Sequence, residues 1–595
     1  MCGIAGVMSV DGAPPASATL GKLAKALSHR GPDGEGRYVS DGVGMIQTRL
    51  AIIDLETGDQ PLYAPAKSGG GKASLIANAE IYNYIELKLD MGRVAFKTRS
   101  DCEPPLHLYL RHGLDFARHL RGMYAVAIHD PAEGCLVLAR DPFGIKPLYY
   151  AETGAGLVFA SEPQALFAAG LATPALDTQA RDELLQLQFT TGRRTPFRGV
   201  ERLLPGETVA VRKGRVADRL RHQALPAGGP IETGRAQALK RLDELLNDTV
   251  GVHQRSDVPY GMFLSGGIDS SVLLAMMARL NERPVQAFTA GFDGADVTDE
   301  RAHAAAVAKA ARAEHREVLF GEDDFWALLP RIAAAMDDPA ADYASLPTYK
   351  LAAEAKKAGL KVVLTGEGGD EMFGGYGRYR RARRARMLGG RPMRAKGAFD
   401  GLDVLRRAPT GWRDGIAAHE REAAEGGRTR LQAAQATDCA DWLPNDLLTK
   451  LDRCLMAHGV EGRVPFLDVG VAAFALTLPD RLKVRRGFGK WLLRRWLETG
   501  MPAAKPFSAK RGFTVPVGTW IGGRGRHLGP LVARQPAIDE ICAPDAVEAL
   551  FRAAGPGRGR RAGQAAWTLL FYALWHRRHV RGLKAQGDVF DVLAA

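Results

Sequence analysis

Cysteine is scarce in this sequence: six among 595 residues, at positions 2, 102, 135, 439, 454 and 542, with no CxxC pair and no tight cluster. That spacing argues against a zinc knuckle and a disulfide framework, so five of the six are expected only to pack. Long apolar runs are missing too; none approaches the roughly 18 residues a membrane helix needs. The opening residues, Met1-Cys2-Gly3-Ile4-Ala5-Gly6-Val7, carry no basic region of the kind that begins a secretory signal, which makes the cytoplasm the expected location. Neither a GxxxxGK[ST] segment nor an internal repeat occurs. Acidic residues are the minority sign, 67 against 80 Lys and Arg, for a net charge of +13. The densest basic stretches, Arg378 to Arg386 and Arg558-Gly559-Arg560-Arg561, are not interleaved with stacking aromatics. No helix-turn-helix, RRM or zinc-finger pattern accompanies them, so nucleic acid is not an expected partner; solvated faces or contacts to small anions are.

What is present reads as a globular enzyme. The chain is 46% apolar and 25% charged and is too long for one ordinary core, so two domains are expected. Up to about residue 165 it reads as short alternating strands broken by Gly and Pro, among them Gly42 to Ile46, Met123 to His129 and Cys135 to Ala139. Low-complexity sequence is limited to short patches such as Lys67 to Lys72, and the segment from Leu225 to Gly234 is rich in Pro and Gly. Beyond it strands alternate with long helices: a strand at Tyr260 to Leu264, a helix at Ser270 to Leu280, then strands at Val285 to Phe292 and Lys361 to Thr365. That rhythm predicts an α/β domain with a mostly parallel sheet. The expected division is 1–215, a linker at 216–235, and 236–595.

If Met1 is removed, Cys2 carries a thiol and a free α-amine on one residue. The amine titrates at about 7.7–8.0, so nucleophile and base are both at hand. Downstream stand His29-Arg30-Gly31-Pro32-Asp33, Thr48-Arg49-Leu50-Ala51-Ile52-Ile53-Asp54, Asn78-Ala79-Glu80-Ile81-Tyr82-Asn83, Ser100-Asp101, and Arg140-Asp141-Pro142-Phe143-Gly144-Ile145-Lys146-Pro147-Leu148. These segments, in this order, resemble the glutaminase domain of class II amidotransferases. The resemblance implies an Ntn-hydrolase-type αββα sandwich with Cys2 as nucleophile. It also implies that the Asn78 side chain and the backbone N–H of Ala79 donate to the tetrahedral oxyanion. Glutamine would be held by Arg49, Leu50, Ala51, Ile52, Ile53, Asn78, Ala79, Glu80 and Asp101, with Arg49 matching its carboxylate and Asp101 its ammonium. One residue departs from the pattern: Ala79 stands where the family usually has Gly. If that position needs a positive φ, Ala costs about 1 kcal/mol or more, and relief of strain by glycine is the expectation.

A second series begins at Leu264-Ser265-Gly266-Gly267-Ile268-Asp269-Ser270-Ser271, between a predicted strand and a predicted helix. Its glycines permit a tight turn whose N–H and hydroxyl groups face an anion, and SGGxDS resembles the pyrophosphate loop of enzymes that adenylate a carbonyl oxygen. Thr365-Gly366-Glu367-Gly368-Gly369-Asp370-Glu371 follows, ahead of Lys450-Leu451-Asp452-Arg453, Glu461 to Asp468, and Gly489-Lys490-Trp491. With the first series, this is similar to the glutamine-hydrolysing asparagine synthetases over nearly the whole chain, most weakly at 170–240 and 385–445. The resemblance implies a C-terminal adenine-nucleotide-hydrolase-like (PP-loop) domain. Leu264, Ser265, Gly266, Gly267, Asp269, Ser270, Ala290, Thr365 and Gly366 would surround ATP, and Asp269 and Asp370 would offer oxygens to Mg²⁺. Lys490 would stabilise charge on the phosphate, and Glu367 would serve the activated intermediate and the ammonia protons. The expected partners are glutamine, aspartate and ATP, with no nucleic acid and no membrane; a homodimer is compatible. Rival readings are a relative that amidates a peptide or sugar acid, a β-lactam-forming relative (disfavoured because those lose the cysteine), and a non-catalytic homologue.

Overall fold

The computed structural model describes residues 2–65, 71–292, 301–384, 387, 389–508, 515–555 and 560–595. Met1, part of the Lys67 to Lys72 patch, Arg386, and Arg558-Gly559 lie outside the described residues.

Twelve strands build the N-terminal part: β1 (Gly3–Ser9), β2 (Gly34–Ser40), β3 (Val43–Arg49), β4 (Leu62–Pro65), β5 (Lys72–Ile81), β6 (Gly122–Asp130), β7 (Cys135–Arg140), β8 (Tyr149–Thr153), β9 (Gly156–Ala160), β10 (Glu201–Arg202), β11 (Glu207–Arg212) and β12 (Arg215–Arg221). They form two antiparallel six-stranded sheets, ordered β10-β8-β9-β1-β3-β2 and β12-β11-β7-β6-β5-β4. Side chains alternate faces with a period of two, which sorts the apolar residues into layers. Ile4 and Met8 of β1 meet Ile76, Ala125 and Leu138 between the sheets. Ala5 and Val7 pack outward on Leu20, Leu23 and Leu27 of the helix Ser17–Leu27. On the far side Leu75, Ala77, Ala79 and Ile81 of β5 cover Leu106 and Tyr109 of the helix Glu103–His112. The result is the αββα sandwich.

The C-terminal part is centred on five parallel strands, β13 (Tyr260–Phe263), β14 (Gln286–Phe292), β15 (Glu314–Phe320), β16 (Val362–Leu364) and β17 (Glu461–Arg463), in the order β15-β14-β13-β16-β17. Strand β13 pairs with β14 on one side and β16 on the other. Connections therefore leave it in both directions, and a crevice opens beyond its carboxyl end, where ligands of open α/β sheets bind. Expected and observed strand boundaries in this sheet differ by one residue. The expected linker requires a correction: β12 pairs with β11 in register Glu207–Arg221 to Arg212–Arg215. Residues 216–221 are thus sheet, and strand-free chain runs only from there to the helix Arg235–His253. Alternating polar residues on β12 mask an edge strand that is largely exposed.

Buried ion pairs join the two parts. Arg30 forks onto Asp452 at 2.8 and 2.9 Å, and Arg463 reaches Glu80 at 2.8 Å. Each pair couples a first-series residue to a second-series residue, so the two motif sets share one electrostatic interior.

Candidate active site

The first centre lies where β1 begins. Cys2 is buried, and its backbone N–H donates to Asn78 Oδ1 at 3.1 Å. Asn78 is at an even position of β5, the face of Ile76, so it points between the sheets toward β1. With Oδ1 engaged by Cys2, the Asn78 Nδ2 is left buried without an acceptor in the protein. A buried donor in that state calls for a ligand oxygen. Burial pushes the Cys2 thiol above its ordinary pKa, while the Leu50 N–H and the Gln47 side chain oppose that rise. The surroundings thus store a neutral thiol that needs a base.

The residues expected around glutamine cluster at the ends of β3 and β5, where Arg49 closes one strand and Ile81 the other. Arg49 ends β3 and is held by Asp59 Oδ1 at 2.7 Å and the Asp54 carbonyl. The Asp59 side chain is 82% exposed, so a ligand carboxylate can displace it at little cost. Ala51 N–H donates to Asp33 at 2.9 Å, the Ile52 carbonyl accepts from Asp257 at 3.0 Å, and Ile53 is half-buried. Asp101 is buried and accepts from the Ile81 N–H at 2.8 Å; burial nevertheless raises its pKa, a poise that an arriving ammonium would reverse. Glu80 is taken by Arg463, so its side chain joins the domains.

Ala79 differs from expectation. It sits inside β5 opposite Tyr124, outside the left-handed φ region, with its methyl in the helix-facing core. The strain account is therefore corrected: the backbone is ordinary strand, where Ala fits without penalty. Its methyl points away from Asn78 because consecutive residues alternate faces.

The second centre forms in the crevice beyond β13. Gly266 has φ +69°, which turns the chain from strand to helix. Ser265 N–H donates to Ser270 Oγ at 3.2 Å, and Gly267 N–H to Ser265 Oγ at 3.2 Å, closing the loop. Asp269 lies in the first turn of the helix Ile268–Leu280. Leu264 N–H donates to Phe288 of β14 at 2.8 Å, Ala290 is half-buried further along that strand, and Thr365 N–H is anchored on Arg463 at 2.9 Å. Gly366 packs so closely on Asp269 that a Cβ there would come within 2.9 Å of the Asp269 Cβ.

Lys490 links the two glycine-rich loops. Its Nζ pairs with Asp269 and, at 2.7 Å, with Asp370 Oδ1. Burial alone would discharge it, but attraction to the two carboxylates wins and raises its pKa. Gly375 makes this approach possible: a Cβ there would lie 1.8 Å from Asp370 Oδ1 and 2.3 Å from Lys490 Cε. Glu367, on the same loop, meets Lys450 Nζ at 3.5 Å, and Lys450 also holds Asp342 at 3.1 Å. Sequence reasoning assigns Lys450 no role although it begins the Lys450-Leu451-Asp452-Arg453 segment, and it passes over Asp342, which no glycine-rich signal flanks.

With this geometry in place, residues 241–577 match the asparagine synthase family and residues 1–222 the glutamine amidotransferase domain. The chain belongs to the asparagine synthase family. The glutamine-hydrolysing asparagine synthetase 1 of Bacillus subtilis is 31% identical over 97% of this chain and 96% of its own length. The glutamine-hydrolysing asparagine synthetase B of Escherichia coli is 30% identical over 88% of this chain and 83% of its own. Among the described residues no helix is long and apolar enough to cross a membrane.

Proposed function

We propose that this member of the family makes L-asparagine, L-glutamate, AMP and diphosphate from L-aspartate, L-glutamine, ATP and water. The observation that carries the reading is Asn78, which joins the Cys2 backbone through Oδ1 and keeps Nδ2 as a buried, unused donor. On removal of Met1 the Cys2 amine takes the thiol proton, and Sγ attacks the amide carbon of glutamine. Asn78 Nδ2 and the Ala79 N–H stabilise the oxyanion, ammonia leaves, and water cleaves the thioester to glutamate. Arg49 and Asp101 hold glutamine by its carboxylate and ammonium.

At the second centre the side-chain carboxylate of aspartate attacks the α-phosphorus of ATP and diphosphate leaves. Lys490 offsets the charge on the phosphates. Ammonia then attacks the acyl carbon of the aspartyl-AMP, AMP leaves, and Glu367 receives the surplus proton of the incoming nitrogen. The loops at Leu264 to Ser270 and Thr365-Gly366, with Ala290, make up the nucleotide site. Asp269 and Asp370 suit Mg²⁺: they are hard oxygen donors gathered on one amine, and Gly369 keeps the cradle open, since a Cβ there would fall 2.4 Å from Asp269 Oδ1. Among the described residues no third His, Cys, Asp or Glu completes a protein-only metal shell, which fits an ion that takes its other ligands from phosphate and water. Bound there, Mg²⁺ would neutralise phosphate charge during adenylation.

The domain division at the end of β12, a cytoplasmic location and assembly as a homodimer belong to the same proposal. All six cysteines are free, as a reducing compartment requires, and sedimentation of the purified protein tests the assembly. Product analysis with isotopically labelled glutamine and a panel of carboxylic acids tests the reaction. Labelled asparagine with stoichiometric AMP is expected; label in a peptide amide or a sugar amide instead would refute the choice of acceptor.

A further inference from the structure

Around the helical run from Trp442 to Lys450, two charged side chains keep polar atoms buried with no partner in the protein. The first is Arg394, whose φ of +48° is uncommon for a residue with a side chain. Its guanidinium stacks on the Trp442 ring at 3.9 Å from the centroid, with Phe189 at 5.1 Å on the same group. Trp442 and Phe189 meet edge to face at 5.6 Å, so the guanidinium plane is fixed. Stacking satisfies no N–H, and the Nε and Nη2 atoms, which form one bidentate edge, are buried without an acceptor. The neighbouring Arg378, by contrast, is paired with Asp438 at 2.8 Å.

The second group is Asp446. It stands in the π-helical turn Leu443–Leu448, a conformation frequent at functional sites. It is fully buried, and neither carboxylate oxygen has a donor. Lys450, one turn further on, is already shared between Asp342 and Glu367. The Asp446 carboxylate feels Asp342 and Glu367 as repulsion and Lys450 and Arg394 as attraction, while Arg394 feels Arg378 as repulsion and Asp438 and then Asp446 as attraction. Trp442, Asp446 and Lys450 follow one another at four-residue steps in one helical run. Arg394, stacked on Trp442, and Glu367, held by Lys450, therefore flank Asp446 from either end, yet the free edge of Arg394 does not close on Asp446. Leaving a guanidinium edge and a carboxylate both buried and unmatched is costly unless a ligand supplies their partners.

We infer that Arg394 and Asp446 form the acceptor-recognition subsite of the synthetase centre. The Arg394 edge takes the α-carboxylate of an amino acid, Asp446 takes its α-ammonium, and the side-chain carboxylate is presented to ATP beside Glu367. A guanidinium edge matches a carboxylate in plane and spacing, and a buried carboxylate gains most from a desolvated cation. The inference rests on the synthetase reading above and adds to it the two groups that read the acceptor.

The test measures ammonia-dependent AMP formation by the full chain with L-aspartate, with succinate (which lacks the ammonium) and with β-alanine (which lacks the α-carboxylate). The unaltered enzyme should prefer aspartate over both analogues by 100-fold or more in kcat/KM, because polar sites reject substrates that leave them unpaired. Asp446→Asn should raise KM for aspartate at least tenfold and shrink the aspartate-to-succinate preference at least tenfold. Arg394→Lys should do the same for the aspartate-to-β-alanine preference. In both variants, glutamine hydrolysis and KM for ATP should stay within twofold, which reports a folded enzyme. Preferences unchanged within twofold in the two variants, or a parallel rise in KM for ATP, would overturn the inference while leaving the synthetase reading standing. An unaltered enzyme that amidates an acid without an α-amino-acid head group, or none at all, would overturn both.

Discussion

Replacing Ala79 by glycine probes the backbone of the proposed oxyanion hole. Were the residue strained, Ala79→Gly would realign a donor worth about 3 kcal/mol, and even partial realignment would raise glutaminase kcat about tenfold. The structure leads elsewhere, because residue 79 is an interior strand position outside the left-handed φ region, and its methyl is buried in the layer beneath β5. Glycine there costs about 0.5–1 kcal/mol in backbone freedom. Loss of one buried methyl adds about 0.8 kcal/mol. The sum is about 1.5 kcal/mol, or about 3–6 °C in the midpoint of the amidotransferase domain's unfolding. Glutamine hydrolysis at saturation should show kcat unchanged or reduced up to about threefold, and calorimetry should show the lowered transition. A severalfold rise in kcat would refute the reasoning, because it would mean that the strand geometry hinders the donor.

Gly375→Ala should abolish ATP-dependent synthesis and leave glutamine hydrolysis within twofold, since its Cβ would displace Asp370 and Lys490 while the first centre is untouched; parallel assays of AMP and glutamate check it. Lys483 is buried against Gln435 Oε1 at 3.0 Å and the Leu476 carbonyl at 2.8 Å, and burial, only partly offset by Asp480, lowers its pKa to about 7. Between about pH 7 and its unfolded value near 10.4 the unfolded chain binds the extra proton, so this residue's burden on stability is full below pH 7 and lifts as pH rises. Lys483→Met should therefore lose stability relative to the unaltered protein by about 1.4 kcal/mol per pH unit from pH 7 to 9, read by urea unfolding; a difference independent of pH would refute a discharged Lys483.

Much of this was legible in the sequence because the chemistry constrains short segments. The glycine-rich turns after β13 and β16 announce themselves, since only glycine lets two loops close on Lys490. Short apolar segments between Gly and Pro mark β3, β6 and β7, while the inward face of Asn78 on β5 comes from the packing of the two sheets. What escaped depends on distant packing. Strand β12 is polar and at a sheet edge, so its composition resembles a linker. The Ala79 question turned on a dihedral angle that residue identity does not fix. Asp446 lies in a π-helical turn, and the i to i+5 bond leaves no period to read; Arg394 is defined by the aromatic rings that stack on it, which are far apart in the chain.

The central claim is that one chain houses a nitrogen-releasing centre at Cys2 and a separate nitrogen-accepting centre around Lys490. Cys2→Ala tests it most directly, with asparagine formation measured from glutamine and from ammonia in the same preparation. The account predicts loss of glutamine-dependent synthesis by at least 1,000-fold, with ammonia-dependent synthesis retained within about threefold, because the nucleophile is deleted and the second centre is intact. Loss of both activities in a variant that still folds, or retention of glutamine-dependent synthesis, would contradict it.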